Sequence, residues 1–317
     1  MPEPIRALIT GAGGFVGPYL ARHLGALGAV VWGSSFSGDA AGTHIANHTA
    51  NHTANYRAVK LDVTDPAEVL RVVREVEPTE VYHLAGVTRP ASGDAAAFYA
   101  VNLHGTLNVL EAAQAVGAAV LVVGSAYVYG AQRGPLSEAA ELRPVNPYGA
   151  SKAAADLAAL PYALSGNRVV RVRPFNHVGP GQSPDFLLPT LVQQLAAIEA
   201  DEAEPVLKLG NLDSIRDFTD VRDVVRAYPA LLRNGENGAV YNLASGRGVS
   251  VRELSKMVLS RARRVVRIET EPSRVRATDI PELVGDAQKA GALGWTPEIS
   301  LETTLGEMLT YERAKYA

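Results

Sequence analysis

The stretch TGAGGFVG, residues 10–17, constrains the fold of this chain more than any other part of its sequence. Gly11, Gly14 and Gly17 follow an apolar run that is typical of a strand and precede a helical pattern. Glycine is needed where a turn is tight, where backbone approaches a pyrophosphate and where a helix meets a sheet. The helix N-terminus then offers N–H donors and a positive dipole end to phosphates. The stretch therefore predicts that this turn binds a nucleotide.

Short runs rich in Val, Ile and Leu alternate with longer helical patterns through the first half of the chain. Strands of this kind, separated by helices, are typical of a parallel sheet covered on both faces. The pattern predicts an α/β fold: a doubly wound parallel (Rossmann) sheet with a smaller C-terminal α/β substrate-binding cap. We expect residues 1–174 and about 218–245 to form the sheet domain, and about 175–217 and 246–317 to form the cap.

Composition excludes several classes of function. The chain has 317 residues, 47% of them hydrophobic and 20% charged, which is typical of a globular protein. A net charge of −3 gives no basic surplus, so we expect no nucleic-acid partner. The absence of cysteine excludes disulfides and cysteine metal sites. No apolar run reaches the roughly 18–20 residues of a membrane helix, and the N-terminus leads directly into a strand. We therefore expect a cytoplasmic protein without a signal peptide.

The end of the second predicted strand bears on the choice of cofactor. It reads Gly33-Ser34-Ser35-Phe36, and no carboxylate occurs before Asp39. An acidic residue there would accept hydrogen bonds from the adenosine ribose and repel a 2′-phosphate. Serine hydroxyls can bind a phosphate, so NADP (NADPH) is favoured over NAD (NADH), although the expected arginine is missing from this turn. In KLDV, Asp62 is positioned to meet the adenine amino group.

Tyr148 and Lys152 form a Tyr-x-x-x-Lys pair in NPYGASKAAAD, which has a helical pattern. Residues four apart on a helix share a face. The lysine can hold the nicotinamide ribose and lower the pKa of the tyrosine by its charge. The phenol can then exchange a proton with a substrate oxygen, to which Ser125 in GSAYVYG would also hydrogen-bond. Together with the glycine-rich turn and the strand-end Ser125, the pair predicts a catalytic Ser–Tyr–Lys set.

The segment ANHTANHTAN, residues 46–55, lies in a histidine-rich stretch. His44, His48 and His52 recur at every fourth position, and on a helix two of them could bind a metal ion. A polar surface loop between the second strand and YRAVKLDV is the interpretation that we favour.

The order of the motifs is that of a known family. TGAGGFVG, LDV, HLAG, VNLHGTLNVLEAA, GSAYVYG, YGASK and RPFNHVGPGQ are followed by LGNLDSIRDFTDVRDVVRAY and LVGDAQKAGALGWTPEISLETTL. The chain resembles the extended short-chain dehydrogenase/reductases that act on nucleotide sugars, over nearly its whole length. RPFNHVGPGQ and LGNLDSIRDFTDVRD are most similar to the branch of the family that acts on GDP-linked sugars.

The resemblance implies roles for particular residues. Ser125, Tyr148 and Lys152 match the catalytic triad of the family. The residues expected to bind the cofactor are Gly11, Gly14, Phe15, Val16, Gly17, Ser34, Ser35, Asp62, Val63, Leu84, Ala85, Gly86, Asn102, Tyr148 and Lys152. The residues expected to bind the substrate are Thr88, Ser125, Asn176, Arg216 and Arg276. Arg216 would grip the nucleotide diphosphate; an ion pair with Asp213 or Asp217 is the alternative. Arg276 is either a second residue of that pocket or a solvated charge.

Two positions bear on the reaction. Dehydratases of the family carry acidic residues directly after the catalytic serine or threonine, where this chain has Ala126 and Tyr127. We therefore expect reduction of the 4-keto group of a GDP-4-keto-6-deoxy-hexose, which gives GDP-D-rhamnose. The alternative is an NAD-dependent nucleotide-sugar 4-epimerase of the UDP-glucose type, which needs the same triad. A 4,6-dehydratase and a non-catalytic nucleotide sensor are less expected.

The resemblance also implies an assembly. FYAVNLHGTLNVLEAAQAVG and YGASKAAADLAALPYAL are long, alanine-rich helical patterns. Helices at these positions in the family pair across a two-fold axis as a four-helix bundle, so a homodimer is expected, although burial in the chain's own core would produce the same pattern.

Overall fold

The computed structural model describes residues 4–36, 56–88, 94–271 and 280–317. The histidine-rich stretch, Asp39 and Arg276 lie outside the described residues. The strands are β1 (Arg6–Thr10), β2 (Val30–Ser35), β3 (Arg57–Lys60), β4 (Glu80–His83), β5 (Ala119–Val123), β6 (Pro135–Leu136), β7 (Val169–Pro174), β8 (Asn176–Val178), β9 (Val206–Leu209), β10 (Ile215–Asp220), β11 (Val240–Leu243), β12 (Gly248–Ser250), β13 (Arg267–Thr270) and β14 (Glu282–Gly285).

Helices connect most of these strands. They are α1 (Val16–Ala26), α2 (Pro66–Val76), α3 (Ala95–Tyr99), α4 (Gly105–Val116), α5 (Pro147–Ala158), α6 (Leu160–Leu164), α7 (Leu187–Glu199), α8 (Val221–Asn234), α9 (Val251–Leu259), α10 (Gln288–Gly291) and α11 (Leu301–Arg313). A π-helical turn, Ala100–His104, joins α3 to α4, and a 3₁₀ turn, Ala126–Val128, follows β5.

The main sheet has seven strands in the order β11-β7-β5-β4-β1-β2-β3, and every neighbouring pair is parallel. The prediction of a doubly wound parallel sheet is confirmed. The chain adds β2 and β3 on one side of β1, and β4, β5, β7 and β11 on the other side. A crevice therefore opens at the carboxyl ends of β1 and β4, where ligands bind in sheets of this type.

Helices bury both faces of the main sheet, which explains why its central strands are apolar on both sides. On one face α1 and α8 contribute Leu20, Leu24 and Leu231 to a core that includes Ile9 of β1. On the other face α2 and α4 pack their own apolar residues against β4 and β5. The crevice therefore lies at the edge of a sheet held between two packed layers.

A smaller sheet forms the cap. Its strand order is β12-β10-β14-β6, β8 also pairs with β10, and β9 and β13 form a separate pair. Helices α7, α9 and α11 surround a third apolar core, which includes Leu195, Leu254 and Leu305. Strand β10 crosses the boundary expected near residue 217, and β6 pairs with β14. The division of the chain between the two domains stays a prediction.

A buried ionic cluster fixes α5 to the main sheet. Asp156 on α5 is 2% exposed and accepts a hydrogen bond from the Arg171 guanidinium at 3.1 Å. The Arg173 Nε atom donates to the second oxygen of the same carboxylate at 2.9 Å. The hydroxyl of Tyr129 accepts a further bond from Arg173 at 2.9 Å. Because both arginines belong to β7, the carboxylate anchors α5 two turns beyond Tyr148.

We expect Asp156→Ala to lower the free energy of unfolding by about 3–5 kcal/mol, because it leaves two buried guanidinium groups without their anion. Denaturant unfolding would measure the change. Glu75→Ala is the matched control: it removes the exposed 3.0 Å pair with Arg71, and a change within about 0.5 kcal/mol is expected. Equal effects of the two substitutions would contradict an anchoring role for Asp156.

Candidate active site

The glycine-rich turn after β1 is closely packed at its first and third glycines. Gly11 has a φ of +67°, and a Cβ atom there would lie 2.7 Å from the Cα atom of Ala85. A Cβ atom at Gly17 would lie 2.1 Å from the carbonyl oxygen of Ala12. Gly14, in contrast, is exposed at the start of α1. The first and third glycines therefore bring loop and helix together, and the second leaves bare backbone at the crevice.

The carboxyl end of β2 lies beside this turn. Ala12 N donates to the Ser34 carbonyl oxygen at 2.8 Å. The Ser34 hydroxyl is buried, and among the described residues it has no hydrogen-bond partner. Ser35 is half-buried at the strand end. A buried hydroxyl without a partner is costly; of the two serines, Ser35 is the one with surface that a ligand can reach.

A buried chain of side chains supports the loop after β4. Nδ1 of His83 accepts a hydrogen bond from Thr10 at 2.8 Å, and Nε2 lies 3.0 Å from the hydroxyl of Thr106. Thr106 donates its own proton to the Asn102 carbonyl oxygen at 2.6 Å, so Nε2 carries the imidazole proton. Burial lowers the pKa of His83 to about 3. The neutral ring therefore ties β1 and β4 to α4.

Asn102 has a positioning role that its motif does not reveal. It lies in the π-helical turn, and its amide accepts a bond from Val87 N at 2.8 Å and donates to Val87 O at 3.1 Å. The same amide donates to the Ser151 hydroxyl at 2.9 Å. Ser151 in turn donates to the carbonyl oxygen of Tyr148 at 2.8 Å. One side chain thus fixes the loop after β4 to α5.

The structure brings the three predicted catalytic residues together. Ser125 follows β5 directly and begins the 3₁₀ turn, where its hydroxyl accepts a bond from Tyr127 N at 3.2 Å. Asn146 caps α5 by accepting a bond from Gly149 N at 2.8 Å, which places Tyr148 in the first helical turn. The Ser125 side chain lies close enough to the Tyr148 phenol to lower the pKa of that phenol.

Burial controls the proton affinities of this site. Burial raises the pKa of Tyr148, whereas the Ser125 side chain lowers it and Tyr127 raises it further. Burial also lowers the pKa of Lys152 to about 8, although the Asp156 carboxylate acts in the opposite direction. The Lys152 ammonium donates to the Val123 carbonyl oxygen at 2.6 Å. Tyr148 is therefore a protonated phenol at neutral pH, as a proton donor must be.

Gly86 lies beside Lys152 in the loop that follows β4. A Cβ atom at Gly86 would lie 3.0 Å from the Asn102 amide oxygen and 3.6 Å from the Lys152 ammonium. Gly86 is exposed, so the loop presents backbone to the crevice next to a buried cation. Two aromatic rings flank the phenol, with the Phe98 centroid at 6.1 Å and the Tyr127 centroid at 5.8 Å from that of Tyr148.

The other predicted cofactor residues lie at the same sheet edge. The Asp62 carboxylate accepts bonds from Thr64 N at 2.9 Å and from the Thr64 hydroxyl at 2.7 Å. The buried Val63 packs in the core beside α4. The Phe15 ring stacks on that of His177 at 6.1 Å. Asp62 therefore has a local structural function in addition to the adenine contact, which stays a prediction.

The predicted substrate residues are divided between the sheet and the cap. Asn176 donates to the Asp217 carbonyl oxygen at 3.3 Å. Arg216 is 8% exposed and donates to the Ile215 carbonyl oxygen at 2.9 Å. Thr88 is exposed at the end of a described range. Arg216 and Asn176 lie on the paired strands β10 and β8, so the cap presents both from one surface.

The carboxylates that were alternative partners of Arg216 have partners of their own. Asp213 pairs with Arg252 at 2.8 Å. Asp217 is fully buried and accepts bonds from the backbone and hydroxyl of Ser245 and from Gly285 N. Burial raises the pKa of Asp217, and these hydrogen bonds oppose the rise. Asp217 thus ties the loop after β11 to β10 and β14, next to Arg216.

No sequence motif identifies the partners in these supporting contacts. Ser245 and Gly285 lie 28 and 68 residues from Asp217. Thr10 and His83 are 73 residues apart. Polar residues at the ends of apolar strands, such as Thr10 in LIT and His83 in VYH, indicate a buried polar network. They do not indicate which residues bond to each other.

The residues of the crevice fit a nicotinamide dinucleotide. Bare backbone at Gly86, bare backbone at Gly14 and the half-buried Ser35 follow the neighbouring strands β4, β1 and β2 along the carboxyl edge of the sheet. Phosphates suit the N-terminus of α1. Among the described ranges no cluster of three potential metal-ligating side chains occurs, and no helix there is long and apolar enough to cross a membrane.

A doubly wound sheet with this glycine-rich turn and a Ser–Tyr–Lys set at its carboxyl edge defines a short-chain dehydrogenase/reductase of the extended type, an NAD(P)-dependent oxidoreductase of nucleotide sugars. A family model described as GDP-mannose 4,6 dehydratase matches residues 8–308, and the chain belongs to this family. The family resemblance seen in the sequence is confirmed.

Three relatives illustrate the similarity. The GDP-6-deoxy-D-mannose reductase of Pseudomonas aeruginosa is 35% identical over 96% of each chain. The GDP-6-deoxy-D-talose 4-dehydrogenase of Aggregatibacter actinomycetemcomitans is 33% identical over 72% of this chain and 77% of its own. The structure of RMD from Pseudomonas aeruginosa in complex with NADPH superposes with a TM-score of 0.82, at 31% identity and 98% coverage of each chain.

We expect Lys152→Met to raise the free energy of unfolding at pH 7 by on the order of 1–3 kcal/mol, because it removes a buried charge. The folded chain carries that charge below pH 8. Between pH 8 and about 10.4 the lysine is neutral in the folded chain but charged in the unfolded chain. The stability of the wild type therefore rises with pH in this window, and the advantage of the variant shrinks.

Denaturant unfolding of the cofactor-free protein at pH 7 and pH 10 measures this difference. The exposed Lys60 provides the control, since Lys60→Met is expected to change stability by no more than about 0.5 kcal/mol at either pH. An advantage for Lys152→Met that stays constant up to pH 10 would show that burial does not lower the pKa of Lys152.

Proposed function

We propose that this protein reduces the 4-keto group of a GDP-4-keto-6-deoxy-hexose with NADPH to give GDP-D-rhamnose. The observation that carries the proposal is that Ser125, Tyr148 and the buried Lys152 lie together at the carboxyl edge of the sheet. The relative of 35% identity is a GDP-6-deoxy-D-mannose reductase, and its similarity extends over 96% of both chains. That similarity favours the same sugar and the same nucleotide here.

The proposed chemistry divides among three side chains. When bound, the reduced nicotinamide supplies a hydride to carbon C4. Ser125 and Tyr148 bind the C4 oxygen, and the Tyr148 phenol donates the proton that completes the alcohol. Lys152, buried and hydrogen-bonded to Val123, holds the ribose and stabilises the negative charge that develops on the phenol oxygen. The ketone thus gains one hydride and one proton.

The surroundings of Ser125 favour reduction over dehydration. A dehydratase needs a group that removes the proton from C5 and an acid that helps to expel the C6 hydroxyl. Ala126 is buried and Tyr127 packs on Tyr148, so neither position offers a carboxylate. The carboxylate of Glu138 accepts a bond from Asn242 N at 2.7 Å. That contact holds Glu138 against β11.

We further propose NADPH as the preferred cofactor. Ser34 and Ser35 end β2 without a carboxylate that would repel a 2′-phosphate. The half-buried Ser35 at the strand end keeps surface that a phosphate can reach, which supports this preference. We also propose that the protein is located in the cytoplasm.

The deciding assay follows nicotinamide absorbance with GDP-4-keto-6-deoxy-D-mannose and either NADPH or NADH. We expect oxidation of the cofactor, faster with NADPH, and GDP-D-rhamnose as the product by NMR. Tyr148→Phe should lower kcat by about 10²–10⁴-fold, because it removes the proton donor, and should leave NADPH affinity nearly unchanged.

Three results would overturn parts of this proposal. No oxidation of either cofactor would exclude the reductase. Inversion of a UDP-hexose at C4 without added reductant would support the epimerase, and conversion of GDP-D-mannose to its 4-keto-6-deoxy derivative would support a dehydratase. Full activity of Tyr148→Phe would remove Tyr148 from the proton-donating role.

We also propose that α4 and α5 pair with their copies in a second chain as a four-helix bundle. Leu157 on α5 is 56% exposed, and Leu164 on α6 is 80% exposed.

Light scattering should give the mass of two chains. Leu157→Glu should give one chain, whereas the same change at Leu27, 51% exposed at the end of α1, should leave two. A dimer that survives Leu157→Glu would contradict this arrangement.

A further inference from the structure

Tyr148 has two aromatic neighbours that the reduction does not use. We propose that the rings of Tyr127 and Phe98 form an apolar wall that receives the C6 methyl group of the substrate, and that this wall selects 6-deoxy sugars over sugars with a C6 hydroxyl. The inference rests on the proposed function, since it assumes that Tyr148 binds the C4 oxygen of a sugar.

The rings contact the catalytic phenol directly. The Tyr127 ring meets that of Tyr148 edge to face, at a centroid distance of 5.8 Å and an angle of 68°. The Phe98 ring lies 6.1 Å away at an angle of 56°. Both flanking side chains are half-buried, so each keeps surface that a ligand can cover. A substrate held by the Tyr148 hydroxyl therefore approaches aromatic carbon.

The backbone holds the Tyr127 ring in this place. Tyr127 N donates to the catalytic hydroxyl of Ser125 at 3.2 Å. On its other side, the Tyr127 carbonyl oxygen lies 2.6 Å from the position of a Cβ atom at Gly149, in the first turn of α5. The Tyr127 backbone is thus packed between Ser125 and the first turn of α5, which places its ring beside that of Tyr148.

Phe98 approaches from a separate element. It lies on α3, where the Asp94 carboxylate caps the helix by accepting a bond from Ala96 N at 2.9 Å. The π-helical turn that contains Asn102 continues α3 directly, and Asn102 is bonded to Ser151 of α5. The wall therefore combines two segments that are both fixed to the catalytic helix.

The chemistry of the sugar indicates what this wall receives. Carbon C4 is bonded to C3, which carries a hydroxyl, and to C5, which carries C6. In a 6-deoxy sugar C6 is a methyl group, the one apolar substituent on the ring, and it lies two bonds from C4. A methyl group gains by covering aromatic carbon. A C6 hydroxyl packed against ring carbon would lose water without gaining a hydrogen-bond partner from that carbon.

Two nucleotide sugars that differ by one hydroxyl test the wall. GDP-D-rhamnose and GDP-D-mannose share every stereocentre of the sugar and differ only at C6. Their oxidation by NADP⁺ gives kcat/KM for each, and the ratio measures the selection. A hydrophobic pocket rejects an added hydroxyl by roughly 10²-fold at most, so we expect the wild type to favour GDP-D-rhamnose by about 10–100-fold. Calorimetry gives the matching ratio of Kd values without turnover.

We expect Tyr127→Ser to lower the selectivity ratio about tenfold, because it opens the wall and introduces a hydroxyl. Tyr127→Phe keeps the ring and should keep the ratio. Phe98→Ser should also lower the selectivity ratio, because it removes the second ring of the wall. Tyr99→Ser is the matched control, since Tyr99 is exposed on the same helix and should leave the ratio unchanged. Thermal unfolding of each variant checks that it folds.

The outcomes separate this inference from the proposed function. If Tyr127→Ser and Phe98→Ser slow both sugars equally and leave both ratios unchanged, the rings only position Tyr148 and the wall is excluded. If the wild type oxidises neither sugar and does not reduce the 4-keto compound, the proposed function fails, and the calorimetric ratio still decides whether the rings select the C6 methyl group.

Discussion

The amide of Asn102 is the contact on which the geometry of the active site depends. It fixes both backbone groups of Val87 and the hydroxyl of Ser151, so the loop that borders the cofactor and the helix that carries Tyr148 keep one relative position. Hydride transfer requires the two reactants to be held close and correctly oriented. Because Asn102 is buried in a π-helical turn, it cannot be exchanged for a side chain of another shape without moving one of these segments.

Two further buried contacts support the position of the Asn102 loop and of α5. Asp156 fastens α5 to β7 through Arg171 and Arg173, and the neutral His83 links β1, β4 and α4. The same burial that makes these bonds rigid also lowers the pKa of Lys152 and raises that of Tyr148. Burying the charged Lys152 next to the protonated phenol of Tyr148 therefore lowers the free energy of unfolding.

Much of the site could be predicted from the sequence, but its support could not. Gly11, Gly14 and Gly17 were identifiable because tight turns leave a fixed spacing in the chain, and all three lie where that spacing required. Asp62 shows the limit of such patterns, since its carboxylate is bonded to Thr64 in a way that the motif does not indicate. The motif around Asn102 likewise indicated a cofactor residue and not the bonds to Val87 and Ser151.

Local periodicity in the sequence determined that the sheet is parallel and doubly wound, and that Tyr148 and Lys152 share a helix face, because both follow from backbone repeats that act over a few residues. Only the tertiary structure decided that Ser125 meets Tyr148, that Tyr127 and Phe98 pack on the phenol, and that Asp217 ties the cap together. These contacts depend on strand order and on the packing of elements far apart in the chain, and no short spacing encodes them.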